Sequence, residues 1–429
     1  MNVEERIDII LNNLLNSGSN ISYLKELRDK SIIEISKDYD LKDTLKNISV
    51  DIETLTKMFL DDKNEFNTSY ITGISTGIYL PDYNDGTYKY TLIGGNTSRY
   101  HEGKVDFETK FDVASITKLY TLVLIFKLEE LELIDLNKKV SELNPDFQRL
   151  GDFTINDLIR LHGELRTNGN IATSTSYEEA LLRFKSLYLV SDDRTKNKYT
   201  DFGAMVLADT VEKIISEKLG KKMKYDEIMN EFLFKPLYIN NSTFTPGIIN
   251  ISGNANDIGM PHDPKSRKLG GVTGHAGIFT NSEGLYDLAD GIFNKEYLNQ
   301  EHINRLGSQT FKDSSRGNLG VYVKTSNGFD DTYTPPEFSN GSFSHQGYTG
   351  GVATFDPNNK IHNNILVNAI ELNENKEALY NNKPLGFKEK FGLYQSELTK
   401  RIMLLYVVKK YYNKYINIKE DIEDKQIIM

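Results

Sequence analysis

The sequence has no cysteine, no tryptophan and only 10 prolines in 429 residues. The missing thiols exclude disulfide frameworks, thiolate zinc sites, cysteine-ligated iron–sulfur clusters and cysteine nucleophiles. Basic residues are not in excess either: 51 Lys and Arg face 61 Asp and Glu, a net charge of −10. Neutralising a phosphate backbone takes clustered cations, so a general nucleic-acid binder is excluded. Long apolar runs are also absent, and no stretch approaches the ~18 residues of a membrane span. The first residues, MNVEERIDIILNNLLNSGSN, space Ile7, Ile10, Leu11 and Leu14 as an amphipathic helix rather than a secretory leader. The expectations are therefore no integral membrane segment and a cytoplasmic location, with export by another route left open. There is no P-loop, strand-linked G-x-G-x-x-G or H-E-x-x-H, so neither a cofactor nor a metal is expected. His262-Asp263 and His275 lack ligand spacing and read as cleft or packing residues.

What is present is length and an uneven distribution of patterns. At roughly 100–200 residues per domain, the chain predicts two or three domains or one composite fold. Residues 1–50 read as an appendage of short helices. Two strand-like runs follow, Ile71 to Leu80 and Tyr88 to Gly94, joined by the turn signal PDYNDG. From Ile116 to Leu136 the pattern is helical, and its first half is apolar almost all round, which marks a buried helix. Helical periods dominate to about 290. Strand signals return at Leu319–Lys324, Ser342–His345, Val352–Phe355 and Ile365–Ile370, and helical patterning resumes from Phe387 to the end. Strands on both sides of a helical block predict an α/β (α+β) fold with one antiparallel sheet assembled from distant segments. N- and C-terminal helices would flank that sheet, and a mostly helical domain would be inserted into it. The expected boundaries are 1–50 for the extension, 51–112 with 291–429 for the sheet domain, and 113–290 for the helical domain.

Serine, lysine and tyrosine supply the candidate chemistry. Phe111-Asp112-Val113-Ala114-Ser115-Ile116-Thr117-Lys118 places S-x-x-K at the entrance to the buried helix. Residues three apart share a helix face, so the Ser115 hydroxyl and Lys118 ammonium come within hydrogen-bonding reach. The helix start adds N–H groups and positive potential for a developing oxyanion. The spacing alone is weak, since Ser22-Tyr23-Leu24-Lys25 matches it without any buried helix start nearby. Two further elements support Ser115. Tyr199-Thr200-Asp201 sits where a loop enters the helical run beginning at Phe202, and His345-Gln346-Gly347-Tyr348 ends a strand-like segment.

In this order the motifs resemble the serine β-lactamase and penicillin-recognising enzyme superfamily, in its class C-like branch. FDVASITK (111–118), IDLNKKVSEL (134–143), FTINDLIRLH (153–162), LGGVTGHAGIFTNSEGL (269–285) and SHQGYTGGVATFDP (344–357) carry the resemblance, over roughly residues 52–371. It implies a β-lactamase/transpeptidase-like fold and a serine hydrolase that forms an acyl-enzyme on an amide or ester, such as a cell-wall-type peptide. It implies that Ser115 is the nucleophile and that Lys118 and Tyr199 share general acid–base work. His345 would orient substrate. The backbone N–H groups of Ser115 and Tyr348 would form the oxyanion hole, with Asp201 and Gly347 beside the substrate. Asp201 departs from the asparagine of many relatives, and a carboxylate only accepts hydrogen bonds. It would also hold Lys118 protonated. His345 replaces the lysine of the true β-lactamases and brings no permanent cation. Both departures point away from β-lactam hydrolysis and toward a peptidase, amidase or esterase. The alternative is a non-catalytic penicillin-binding-protein-like binding or scaffolding protein. Partners would be a small molecule or peptide, and no oligomeric state follows from the sequence.

Overall fold

A computed structural model describes residues 71–98 and 103–368, apart from 82–86, 197, 247–250, 253–258, 312–315, 326–333 and 336–337, together with most of 49–60, and 398, 401–402 and 425–428. Ser22–Lys25, the rest of the N-terminal extension before residue 49, the PDYNDG turn beyond Pro81 and nearly all of the C-terminal helical pattern lie outside the described residues. In chain order the early strands are β1 (Gly73–Pro81), β2 (Thr87–Gly95), β3 (Lys110–Asp112), β4 (Glu164–Arg166) and β5 (Tyr188–Ser191). The later ones are β6 (Ile251–Ser252), β7 (Phe279–Thr280), β8 (Tyr322–Val323), β9 (Phe343–Gln346), β10 (Val352–Asp356), β11 (Ile361–Val367) and β12 (Lys425–Ile428). The main sheet has seven strands in the order β12-β2-β1-β11-β10-β9-β8.

The expected joining of distant segments is seen where β1 pairs antiparallel with β11, Ile74 opposite Val367 and Tyr79 opposite His362. Every pairing in this sheet is antiparallel except that of β12 with β2, which is parallel. β12 falls where helical patterning was expected. Its Gln-Ile-Ile run suits a strand, and it pairs the outer edge of β2, an edge that would otherwise invite pairing with another chain. All residues of β10 and β11 are buried, so both faces of the sheet centre are covered.

Three longer helices position the site. α1 (Thr117–Glu130) buries eleven of its 14 residues, as its all-round apolar pattern predicts. It ends six residues before the expected Leu136, because Glu132 turns left-handed at φ 56 and Leu133 N–H returns to the Leu128 carbonyl. α2 (Phe202–Leu219) follows Asp201 directly and stops at Gly220, left-handed at φ 62. α3 (Ser282–Phe293) packs on the main sheet. Tyr286 Oη donates to the Tyr90 carbonyl at 2.9 Å, and the Ser282 and Ser75 hydroxyls pair at 2.8 Å. Three small strands, β6-β3-β7, form a second sheet that feeds the chain into the turn before α1. Among the described residues no helix is long and apolar enough to cross a membrane.

Candidate active site

The turn into α1 is tightly constrained. Ala114 adopts a left-handed φ of 44, a conformation that costs an L-residue about 1–2 kcal/mol. The buried Asp112 holds it there. Its Oδ1 accepts from Ala114 N–H at 2.8 Å, and its Oδ2 accepts from His262 N–H and faces His262 Nδ1 at 2.8 Å. Its carbonyl accepts from Thr349 Oγ1 at 2.7 Å. One residue thus ties the start of α1 to the loop before Pro264 and to the turn after β9. The close approach of that turn needs glycine, because a Cβ at Gly347 would lie 2.5 Å from the Val113 carbonyl oxygen. Half-buried Ser115 follows at the centre of this knot.

Lys118, one turn along and wholly buried, donates to Ser115 Oγ at 2.8 Å and to Asp201 Oδ1 at 2.9 Å. Burial pulls the Lys118 ammonium toward neutrality, but the Asp201 carboxylate and Tyr199 outweigh it and hold it well above an ordinary lysine. Asp201 is pushed up by burial and pulled down further by Lys118, His275 and Lys265, so it stays ionised. Tyr199, exposed at the rim, donates to Ser115 Oγ at 3.2 Å. The ring of Tyr199 has Lys118 Nζ 5.1 Å from its centroid and the Arg316 guanidinium at 4.8 Å. It rests on Gly320, where a Cβ would come within 2.4 Å of the ring. The segment Leu319–Lys324 that reads as a strand therefore begins as a turn. Leu319 and Gly320 are both left-handed and form the seat for Tyr199, and only Tyr322–Val323 pair as β8.

His345, buried on β9, donates from Nδ1 to the Gln346 carbonyl at 2.8 Å, and its ring centroid lies 6.3 Å from that of Tyr199. Burial, reinforced by the Lys118 charge, lowers its pKa to about 3, so the imidazole is neutral at physiological pH. Ser115, Tyr199, Asp201, His345, Gly347 and Tyr348 line one cleft of ≈ 450 Å³, with Lys118 immediately behind Ser115. All seven sequence-derived site residues are thus brought together.

The cleft also contains Lys265 and Arg316, which no motif marked, and Gln346, which lies inside the His345–Tyr348 motif but was given no role. Lys265 pairs with Asp201 Oδ2 at 2.9 Å and lies 3.9 Å from Asp263. Asp263 lines the cleft and caps the short helix Pro264–Lys268 by accepting from Ser266 N–H. His275 Nε2 faces its Oδ1 at 2.9 Å. Burial raises Asp263, but His275 and Lys265 bring it to about 2. His262-Asp263 and His275, expected as cleft or packing residues, meet at this wall: Asp263 lines the cleft and His275 packs against it. Asp201, Asp263 and His275 bring their ligand atoms within 4.8 Å of one another, and Lys265 already supplies the positive charge between the two carboxylates. The arrangement offers a hydroxyl polarised by an ammonium and a phenol, in a cleft where the Asp201 and Asp263 carboxylates face Lys118, Lys265 and Arg316.

Comparison with known proteins yields concordant findings. The Beta-lactamase family model matches residues 69–382. A Salmonella gallinarum protein with the provisional name D-alanyl-D-alanine carboxypeptidase is 26% identical over 317 residues, covering 62% of this chain and 71% of that protein. An N-acetylmuramyl-L-alanine amidase from Bacillus subtilis is 26% identical over 301 residues, covering 59% of this chain and 66% of its own length. Among solved structures, a class C beta-lactamase in complex with cefoxitin superposes with a TM-score of 0.59 at 14% identity, covering 83% of this chain and 99% of that chain, a likeness of fold.

Proposed function

The chain belongs to the beta-lactamase family, and from that premise we propose that it is a serine hydrolase forming an acyl-enzyme at Ser115 on an amide or ester. The observation that carries this reading is that Ser115 Oγ, at the mouth of a buried helix, lies 2.8 Å from Lys118 Nζ and 3.2 Å from Tyr199 Oη. In the proposed reaction Ser115 Oγ attacks the carbonyl carbon. Because Asp201 keeps Lys118 protonated, Tyr199 acts as a relay: its Oη takes the serine proton as its own proton passes to the leaving group. Lys118 and Arg316 lie 5.1 and 4.8 Å from the centroid of the Tyr199 ring and favour the partial negative charge it carries during the relay. The N–H groups of Ser115 and Tyr348 receive the oxyanion, set against one another by the Gly347–Val113 approach. Water then attacks the acyl-enzyme carbonyl; Tyr199 Oη takes its proton as its own passes to Ser115 Oγ, the ester bond breaks and the acid leaves.

The substrate class we propose is a cell-wall-type peptide or amide, in keeping with the carboxypeptidase and amidase names of the relatives. With His345 neutral, the cleft lacks the β9 cation suited to a β-lactam carboxylate. The Lys118–Asp201 ion pair also favours a second reading, a binding protein whose serine is too weakly activated to turn over. One experiment separates the two. Intact-mass spectrometry after a fluorophosphonate probe should show one adduct on wild type and none on Ser115→Ala, with Ser115-dependent hydrolysis across ester and D-amino-acid amide panels. Absence of adduct and turnover in wild type, with ligand binding that survives Ser115→Ala, would establish the binding protein instead.

A further inference from the structure

Asp201 presents no donor to the cleft, and both its oxygens are engaged at 2.9 Å, Oδ1 by Lys118 and Oδ2 by Lys265. The two lysines differ in access. Lys118 has no exposed side-chain surface, whereas Lys265 is 24% exposed and lines the cleft with Ser115 and Tyr199. An ammonium carries three N–H donors. Asp201 takes one of them, and Asp263 Oδ2 at 3.9 Å is beyond hydrogen-bond range, so donor capacity remains on the cleft side. The ammonium is also fixed in place. Asp263 caps the helix that carries it through Ser266 N–H at 2.8 Å, and Asp201 sits at the rigid start of α2. Asp201 in turn reaches the nucleophile through one intervening group, Lys118.

From this juxtaposition we infer that Lys265 is a substrate-binding residue that donates to a carbonyl on the acyl side of the scissile bond, so that N-acylated amino-acyl or peptide substrates are selected over those with a free ammonium there. The inference rests on the hydrolase reading above. A free α-ammonium would meet the like charge of Lys265, while N-acylation removes that charge and supplies an acceptor. The Asp201–Lys265 pair thereby does together what a neutral amide would do alone.

The test compares kcat/KM for N-acetyl-alanyl, alanyl and propionyl p-nitroanilides, the first two in D and L forms, in wild type, Lys265→Met and Lys265→Arg. Wild type should prefer the N-acetyl compound over both others. In Lys265→Met the N-acetyl to free-amine ratio should fall by about tenfold or more, and Lys265→Arg should keep most of it. Handing Asp201 entirely to Lys118 lowers the rates on all substrates, but this cancels in the ratio. Should the Met variant not fold, the wild-type comparison decides, because equal rates on propionyl and N-acetyl-alanyl substrates overturn the inference. Ser115-dependent turnover with a ratio unchanged in Lys265→Met overturns it alone. No turnover and no Ser115 adduct in wild type overturns the hydrolase reading, and this inference falls with it.

Discussion

Lys118 keeps its charge without solvent because its ammonium has Ser115 Oγ, Asp201 Oδ1 and, at 3.4 Å, the His275 carbonyl around it. The two halves of the ion pair are not equally dependent on each other. Lys118→Met leaves Asp201 with Lys265, whereas Asp201→Asn leaves two ammonium groups around a neutral amide. Removing one partner of a buried pair costs about 3–5 kcal/mol when the other is stranded. Urea denaturation should therefore show roughly 3 kcal/mol lost in Asp201→Asn and distinctly less in Lys118→Met. Tyr199→Phe tests another role. It removes one hydroxyl from an exposed side chain, so stability should hold while kcat falls by about 10²–10⁴. Thermal melts beside steady-state rates distinguish these outcomes. Ser115 and Lys118 were legible in the sequence because residues three apart on a helical turn come within reach, here across the short turn Ala114–Ile116 that leads into α1. Tyr199 and His345 were legible through ordered motifs. Lys265 and Arg316 were not, because each reaches the cleft from a segment whose local pattern reports only its own turn or helix.

The turn at Asn318–Gly320 shows the same division at the level of an element. Leu319–Lys324 reads as a strand, and its later half does pair as β8. The earlier half is bent because the Tyr199 ring must fit against a backbone without a Cβ, a long-range demand that strand propensity does not encode. Gly320→Ala combines a left-handed φ of 83 with a clash against the ring. We expect about 1–2 kcal/mol of lost stability, and a fall in kcat of about 10²-fold as the phenol leaves Ser115. A loss of activity no larger than that of an exposed-surface control would show that Tyr199 is not seated by this turn. The sheet was more legible than the turns, since β1, β2 and β10 carry β-branched and aromatic residues, whereas β11 begins four residues before the expected Ile365 and includes the polar run His362-Asn363-Asn364. β12 was hidden inside a helical pattern and is defined by the open edge of β2.

The whole molecule depends on that sheet, and its centre holds a titratable group unrelated to catalysis. His362 on β11 donates from Nδ1 to the Thr354 carbonyl at 2.9 Å and packs 4.3 Å from Phe355. Burial lowers its pKa from 6.5 to about 3, as it does for His345. Between those values the unfolded chain binds protons that the folded chain refuses. The stabilisation is thus complete above about pH 6.5 and is lost as pH falls toward about 3. Melting temperature should decline over that window, and His362→Gln should flatten the decline. An unchanged slope would place the acid sensitivity elsewhere. The closure of the sheet also has a consequence in time. The side chain of Asn368 accepts from Gly73 N–H, 295 residues away, and β12 lies further on still. At roughly 5–20 residues per second, the β1–β2 hairpin waits about 15–60 s on the ribosome before either neighbouring strand has been made. For that interval its two edges have no native partner, so the need for a chaperone falls at the beginning of synthesis rather than at its end.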